Sequence, residues 1–187
     1  MESTVAQALQ YGVAAHQEGK LQDAERLYRT ILQSQPGHPD ANHNMGVLAV
    51  AVGKVNEALP FFKTALEVNP NKAQFWLSYI DALIKEQKVE LAEQVIEQAK
   101  KQNVAREKLE VLVTKLAFIS KQKNVNSLNS YQQQVSNLTG YLRRERFLEA
   151  EELAISMTQD FPNHQIGWKA LGIVFKQTGR LKESLVV

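Results

Sequence analysis

The chain has 187 residues, 44% of them hydrophobic and 22% charged, and 22 basic against 20 acidic side chains leave a net charge of +2. A balance that even gives no electrostatic grip on nucleic acid or an anionic membrane, so neither is expected as a partner. The absence of cysteine excludes disulfides and thiolate metal sites and suits a reducing compartment. Met1-Glu2-Ser3-Thr4 lacks the basic start and apolar core of a signal peptide. No apolar run approaches the roughly 20 residues that span a bilayer, and a cytoplasmic location is expected.

In chain order, Val5, Ala8, Leu9, Gly12, Val13 and Ala15 have the spacing of one helix face, with Ser3 or Thr4 as its cap. Gly19 ends that helix, where a left-handed backbone costs glycine little. Leu21, Ala24, Leu27, Tyr28, Ile31 and Leu32 give a second helix, stopped by Pro36. The pattern then recurs. Gly12, Gly19, Ala24, Tyr28 and Pro36 return as Gly46, Gly53, Ala58, Phe62 and Pro70, all at one constant offset. A fixed period of about 34 residues marks stacked helix pairs, none of which can bury its apolar face alone. Pro39 suits a first helical turn, and Pro60 is expected to be tolerated as one of the unpaired first four amides of its helix.

A third pair has drifted. Ala92, Ile96 and Ala99 keep the grid, and Trp76, Tyr79 and Leu83 supply the first face, but Ile80 and Gln87 replace the two glycines and Val104 the proline. From Arg106 to about Lys121, Leu109, Leu112, Val113, Leu116 and Ile119 share one face, which predicts an extra amphipathic helix; the polar stretch 123–130 predicts a turn. The phase then restarts late, off the grid of the first three pairs. Leu138, Ala150, Ala154, Met157 and Pro162 form a fourth unit, and Trp168, Leu171, Gly172, Phe175 and Gly179 open a fifth. The expected organisation is three repeats over 1–106 (5–38, 39–72 and 73–106), the extra helix and turn over 107–130, and a fourth and a truncated fifth repeat over 131–187.

These residues resemble the tetratricopeptide repeat (TPR) family, in which Trp, Leu, Gly and Tyr mark the first helix and Ala, an aromatic, Ala and Pro the second. Trp168-Lys169-Ala170-Leu171-Gly172 and the set Ala58, Phe62, Ala65 and Pro70 match most closely. The resemblance implies an all-α fold, a right-handed superhelix (an α-α solenoid) with a groove lined by the first helices. It implies a bacterial glycosyltransferase-associated array as one setting. Chaperone-binding members grip a C-terminal carboxylate with lysines and asparagines on successive first helices; here Leu9, Val13, Leu77 and Asp81 fall at those positions and only Asn44 matches. In transferases of O-linked N-acetylglucosamine, an asparagine recurs once per repeat in the groove. The aligned residues here are Gln10, Asn44, Ser78, Ser136 and Ala170.

Chemistry-bearing patterns are sparse. Six glycines fall on the repeat framework, at Gly12, Gly46 and Gly172 in first helices and Gly19, Gly53 and Gly179 at turns, and none makes a phosphate cradle. His16, His38, His43 and His164 lack the spacing of a metal site. No catalytic residue, metal or cofactor is therefore expected. Asn137-Leu138-Thr139 reads as a chance glycosylation pattern, and the charges from Arg143 to Glu152 as a solvated face. Trp76 and Trp168 are expected to pack between repeats. The expected function is a non-catalytic scaffold binding a partner protein or peptide in the groove, with Gln10, His43, Asn44, Ser78, Asp81 and Ser136 as lining residues. The alternative is the substrate-recruiting arm of a larger modifying enzyme, a glycosyltransferase before a sulfotransferase or methyltransferase. Self-pairing through the half-repeat at the C-terminus or the 106–121 helix is a further expectation.

Overall fold

The computed structural model describes residues 2–102, 104, 106–180 and 183. Among these residues the fold is all-α, with nine helices and no strand: α1 (Glu2–Gln17), α2 (Leu21–Ser34), α3 (Pro39–Ala51), α4 (Val55–Val68), α5 (Ala73–Lys85), α6 (Val89–Lys101), α7 (Arg106–Arg143), α8 (Phe147–Asp160) and α9 (Gln165–Gln177). Two compact units divide the chain, Met1–Ser120 and Lys121–Val187, and α7 contributes to each. The second helix expected for a fifth repeat falls, apart from Arg180 and Glu183, outside the described residues.

Among the described residues, the left-handed turns that end the first helices share one build. Gly19, Gly53, Gln87, Glu145 and Gly179 take positive φ of 76°, 79°, 54°, 56° and 78°. The next residue then sends its N–H back five positions: Lys20 to Ala15, Lys54 to Ala49, Lys88 to Leu83, Arg146 to Tyr141 and Arg180 to Phe175. This is a Schellman cap, which satisfies carbonyls that a helix end leaves open. The two glycine-free turns keep the geometry at a cost, since a side chain in the left-handed region crowds its own carbonyl. Gln87→Gly and Glu145→Gly should each stabilise by roughly 0.5–1 kcal/mol, the relief of strain less the added chain entropy. Equilibrium urea denaturation would read the gain.

Small residues set the spacing within a pair. A Cβ placed on Gly12 would lie 2.6 Å from the Tyr28 ring, and one on Gly46 2.6 Å from the Phe62 ring. Both rings are fully buried, as are Ala24 and Ala58 beside them in sequence register. Between pairs, the Pro36 and Pro70 carbonyls accept hydrogen bonds from Asn42 Nδ2 (2.8 Å) and Trp76 Nε1 (2.7 Å). Asn42 and Trp76 hold the same register, so one tie is made by two unlike side chains. Pro39 opens α3, whose N-cap His38 accepts the Ala41 N–H on Nδ1. Pro60 is the sixth residue of α4, past the four free amides. Its tolerance therefore has another cause: the helix runs on unbroken to Val68, and the proline faces solvent. Thr4 lies inside α1, which begins at Glu2, and so does not cap it.

The turn expected at 123–130 is absent, and helix runs through it. Residue 121 is where the grid places the next left-handed turn residue, but lysine stands there, and no glycine or proline interrupts 106–139. Polarity alone does not break a helix. The first part of α7 is also more than an insertion, because it sits at the register of a first helix. Leu109 and Leu116, one period after Phe75 and Ala82, are buried in the core of the first unit, with Leu112 and Ile119 packed against it. Val113 is the one member of the expected face that is exposed. Residues 121–130 are exposed throughout.

In the second unit, Leu138 on α7 packs with Ala150, Ala154 and Met157 of α8 and Ala170, Leu171, Val174 and Phe175 of α9. Gly167 presses on α8, where a Cβ would meet the Ala154 carbonyl at 3.0 Å. The two tryptophans differ in exposure. Trp168 is 40% exposed, whereas Trp76 in the same register is 4% exposed. Trp76 donates to the Pro70 carbonyl and belongs to the core cluster that contains Leu66. Gly172 is likewise open, with nothing within 4 Å of a Cβ placed there.

Candidate binding groove

The six residues singled out by sequence fall in three places. Gln10 is exposed on α1, and Ser136 is exposed on α7 within the second unit. The other four come together on α3 and α5.

His43 is the fifth residue of α3. Its ring stacks on Phe75 of α5, centroids 4.8 Å apart, and tilts against Phe62 at 5.7 Å. Its Nε2 lies 2.9 Å from Ser78 Oγ, and its Nδ1 lies 3.4 Å from Asn44 Oδ1. Gln74, one turn before Ser78, donates to the same Oγ at 3.2 Å. One set of directions satisfies all three contacts: Gln74 N–H to Ser78, Ser78 O–H to His43 Nε2, and His43 Nδ1–H to Asn44. Lys72 sits over the outer edge of this cluster, paired with Asp40 and 4.9 Å from the Phe75 ring centroid.

Asp81 lies one turn beyond Ser78 and is held by two lysines, Lys85 on its own helix at 2.9 Å and Lys115 of α7 at 2.6 Å. Burial raises its pKa, but the hydrogen bonds from Lys115 and Lys85 outweigh that and hold it below the ordinary carboxylate value. One carboxylate between two ammonium groups leaves a positive charge on this stretch. Asp81 is thus a tie between α5 and α7.

Burial is the chief cause that holds the His43 pKa below 6.5; the Asn44 hydrogen bond opposes it, Lys72 adds to it, and Asp40 opposes. The fold therefore prefers neutral imidazole. As pH falls below about 6.5 the unfolded chain binds the proton first, so stability drops until His43 itself is protonated. Thermal melts between roughly pH 7 and pH 5 should show a slope that His43→Gln reduces.

Ser78 and His43 are in contact, but Ser78 lies mid-helix, where neighbouring backbone N–H groups are committed to α5 and none can stabilise an oxyanion. What the face offers is amide and hydroxyl groups, a stacked imidazole and excess positive charge. Sequence reasoning missed Gln74, Lys72, Lys85 and Lys115. The signal for Lys115 was present, since it stands one full period after Asp81.

Helix pairs joined by recurring Schellman turns, with small residues under aromatic rings, define an α-solenoid of helix–turn–helix repeats. The tetratricopeptide repeat pattern matches residues 15–59 and 49–116, more than half of the chain. The chain belongs to the tetratricopeptide repeat family. Among solved structures it is similar to a tetratricopeptide repeat protein from Parabacteroides merdae (TM-score 0.57, 17% identity, 97% of this chain and 62% of that one). It is also similar to the TPR2B domain of yeast Sti1 in complex with pHsp70 (0.56, 15%, 62% and 97%). A third likeness is to an O-GlcNAc transferase of Thermobaculum terrenum (0.55, 21%, 62% and 22%). At these identities the likeness establishes the fold. The chain spans less than two thirds of the Parabacteroides protein and about a fifth of the transferase.

Proposed function

We propose that the chain is a protein-interaction module whose first-helix face on α3 and α5 binds an extended or helical segment of a partner protein. The observation that carries this is the connected cluster of Asn44, His43, Ser78 and Gln74, half-buried or exposed polar groups on a solvent-facing helix surface where packing alone would not place them. Gln10 and Ser136 extend the same class of position on α1 and α7. Asn44 and Gln74 present amides that can pair with a peptide backbone, and Lys85 and Lys115 favour an acidic residue near it. A random peptide library selected against the whole chain should yield binders, and fluorescence anisotropy on one of them would give its affinity. Asn44→Ala with Gln74→Ala should weaken that affinity tenfold or more without lowering the melting temperature. Unchanged affinity would place the binding face elsewhere.

A second reading, the recruiting arm of a larger modifying enzyme, draws support from the resemblance to the transferase array. On that reading the 187 residues bind the acceptor protein and not the sugar nucleotide. Calorimetric titration with UDP-N-acetylglucosamine should give no heat of binding, and a measurable affinity would count against it.

A further inference from the structure

We propose that the face of α7 bearing Val111, Thr114, Ala117 and Phe118 docks an amphipathic helix of a partner protein, seated as α6 is seated on α5 and opening with a lysine or arginine that reaches Glu93.

The internal repeat says which side of a first helix meets its own second helix. Gly12 lies under Tyr28 of α2, and Gly46 under Phe62 of α4. The next residues in that register are Ile80 and Thr114. Around Ile80, the side chains of Trp76, Leu83 and Ile84 are all buried. The matching positions on α7 are Glu110, Ala117 and Phe118, all exposed, with Phe118 at 61%. Val111 beside them is 68% exposed. The opposite side of α7 is closed. Leu109 and Leu116 are in the core, and Lys115 is tied to Asp81. So α7 is fixed in the place of a first helix, and the side that a second helix would cover is open to solvent.

Charge says how the missing helix would begin. Each described second helix starts from a basic residue, since Lys20, Lys54, Lys88 and Arg146 are N-caps, and Arg180 holds the same register after Gly179. Two of these reach back to the preceding second helix. Lys88 Nζ donates to Asn56 at 3.0 Å, and Arg180 donates to both oxygens of Glu151 at 2.8 and 2.7 Å. The residues of α6 in the registers of Asn56 and Glu151 are Glu90 and Glu93, both exposed carboxylates, and Glu93 borders a shallow concavity of about 420 Å³ together with Glu97 and Lys101. A basic N-terminal residue on an incoming helix meets the Glu93 carboxylate. The occupant is a partner's helix rather than a second copy of this chain, because the buried apolar side chains of α2, α4, α6 and α8 are already packed on their own neighbours and only scattered ones, such as Leu91 and Leu148, are exposed.

The test uses the whole chain and a fluorescein-labelled peptide with the sequence of residues 88–102, its helix locked by a lactam bridge on the outward side. Saturable binding is expected. Phe118→Asp should weaken it tenfold or more, and Glu93→Lys should weaken it until the peptide's Lys88→Glu form restores it. Both substituted side chains are exposed, so circular dichroism should be unchanged. Absence of saturable binding, or binding indifferent to Phe118→Asp, overturns the proposal. So does light scattering that shows a dimer split by Phe118→Asp, which would give the face to a second copy.

Discussion

Gly46→Val should destabilise the first unit by about 3 kcal/mol, the upper range for forcing extra atoms into a packed core. A Cβ at this position would stand 2.6, 2.7 and 2.9 Å from three atoms of the Phe62 ring. The ring is fully buried and cannot swing away. Relief therefore requires α3 and α4 to separate, which loosens every contact along the pair. Gly46→Ala gains helix propensity worth about 1 kcal/mol and so should cost less, about 1–2 kcal/mol net. Pairing either change with Phe62→Leu should recover part of the loss, and that coupling would identify the ring as the cause. Gly172→Ala is the control. With nothing near its Cβ, the propensity gain stands alone, and the second unit should gain up to about 1 kcal/mol. Urea denaturation followed by tryptophan fluorescence reads both units, because Trp76 lies in one and Trp168 in the other.

Trp76→Ala and Trp168→Ala should differ sharply although both tryptophans hold one register. Truncating Trp76 removes a buried indole and leaves the Pro70 carbonyl without its donor, so a loss of about 3–5 kcal/mol is expected. Trp76→Phe should lose less, about 1–3 kcal/mol, because a six-membered ring still fills most of the space while the hydrogen bond and the rest of the indole are lost. Trp168 is 40% exposed, and its truncation should cost under about 1 kcal/mol. Single-tryptophan variants melted in parallel would separate the two effects. Equal losses would mean that Trp168 is covered in solution by a helix that packs against α9.

The framework was legible because the repeat writes it several times over. Glycine under an aromatic, glycine at the turn and proline after the second helix each have one physical reason, and the residues recur at one period. Where the residue changed, the reading weakened while the structure did not. Gln87 and Glu145 take the left-handed turn without glycine because the cap's hydrogen bonds and the packed helices on either side hold them there. The stretch 123–130 misleads for the opposite reason. Its polar side chains meet the composition of a loop, yet nothing in it stops a helix already under way. The groove was half legible. Register singled out Asn44, His43, Ser78 and Asp81 as candidates, but not which of them touch, since the contacts of His43 depend on Phe75 and Gln74 in the following repeat. The motif marks Trp168 for packing, but it does not say whether the neighbour that would cover the ring is present.

From 121 to 130, α7 buries no side chain. The backbone hydrogen bonds there are held by helix propensity and by the folded turns at each end, with no buried side chain to add protection. An isolated helical stretch of that length is marginal in water. It should open and reclose far more often than the packed cores on either side of it in sequence. Amide hydrogens there should exchange first, ahead of those in any buried helix, and limited proteolysis should cut the chain there while each cluster of buried side chains stays intact. A helix that looks like the longest and most regular element of the molecule is, at its middle, the place where the polypeptide is easiest to divide.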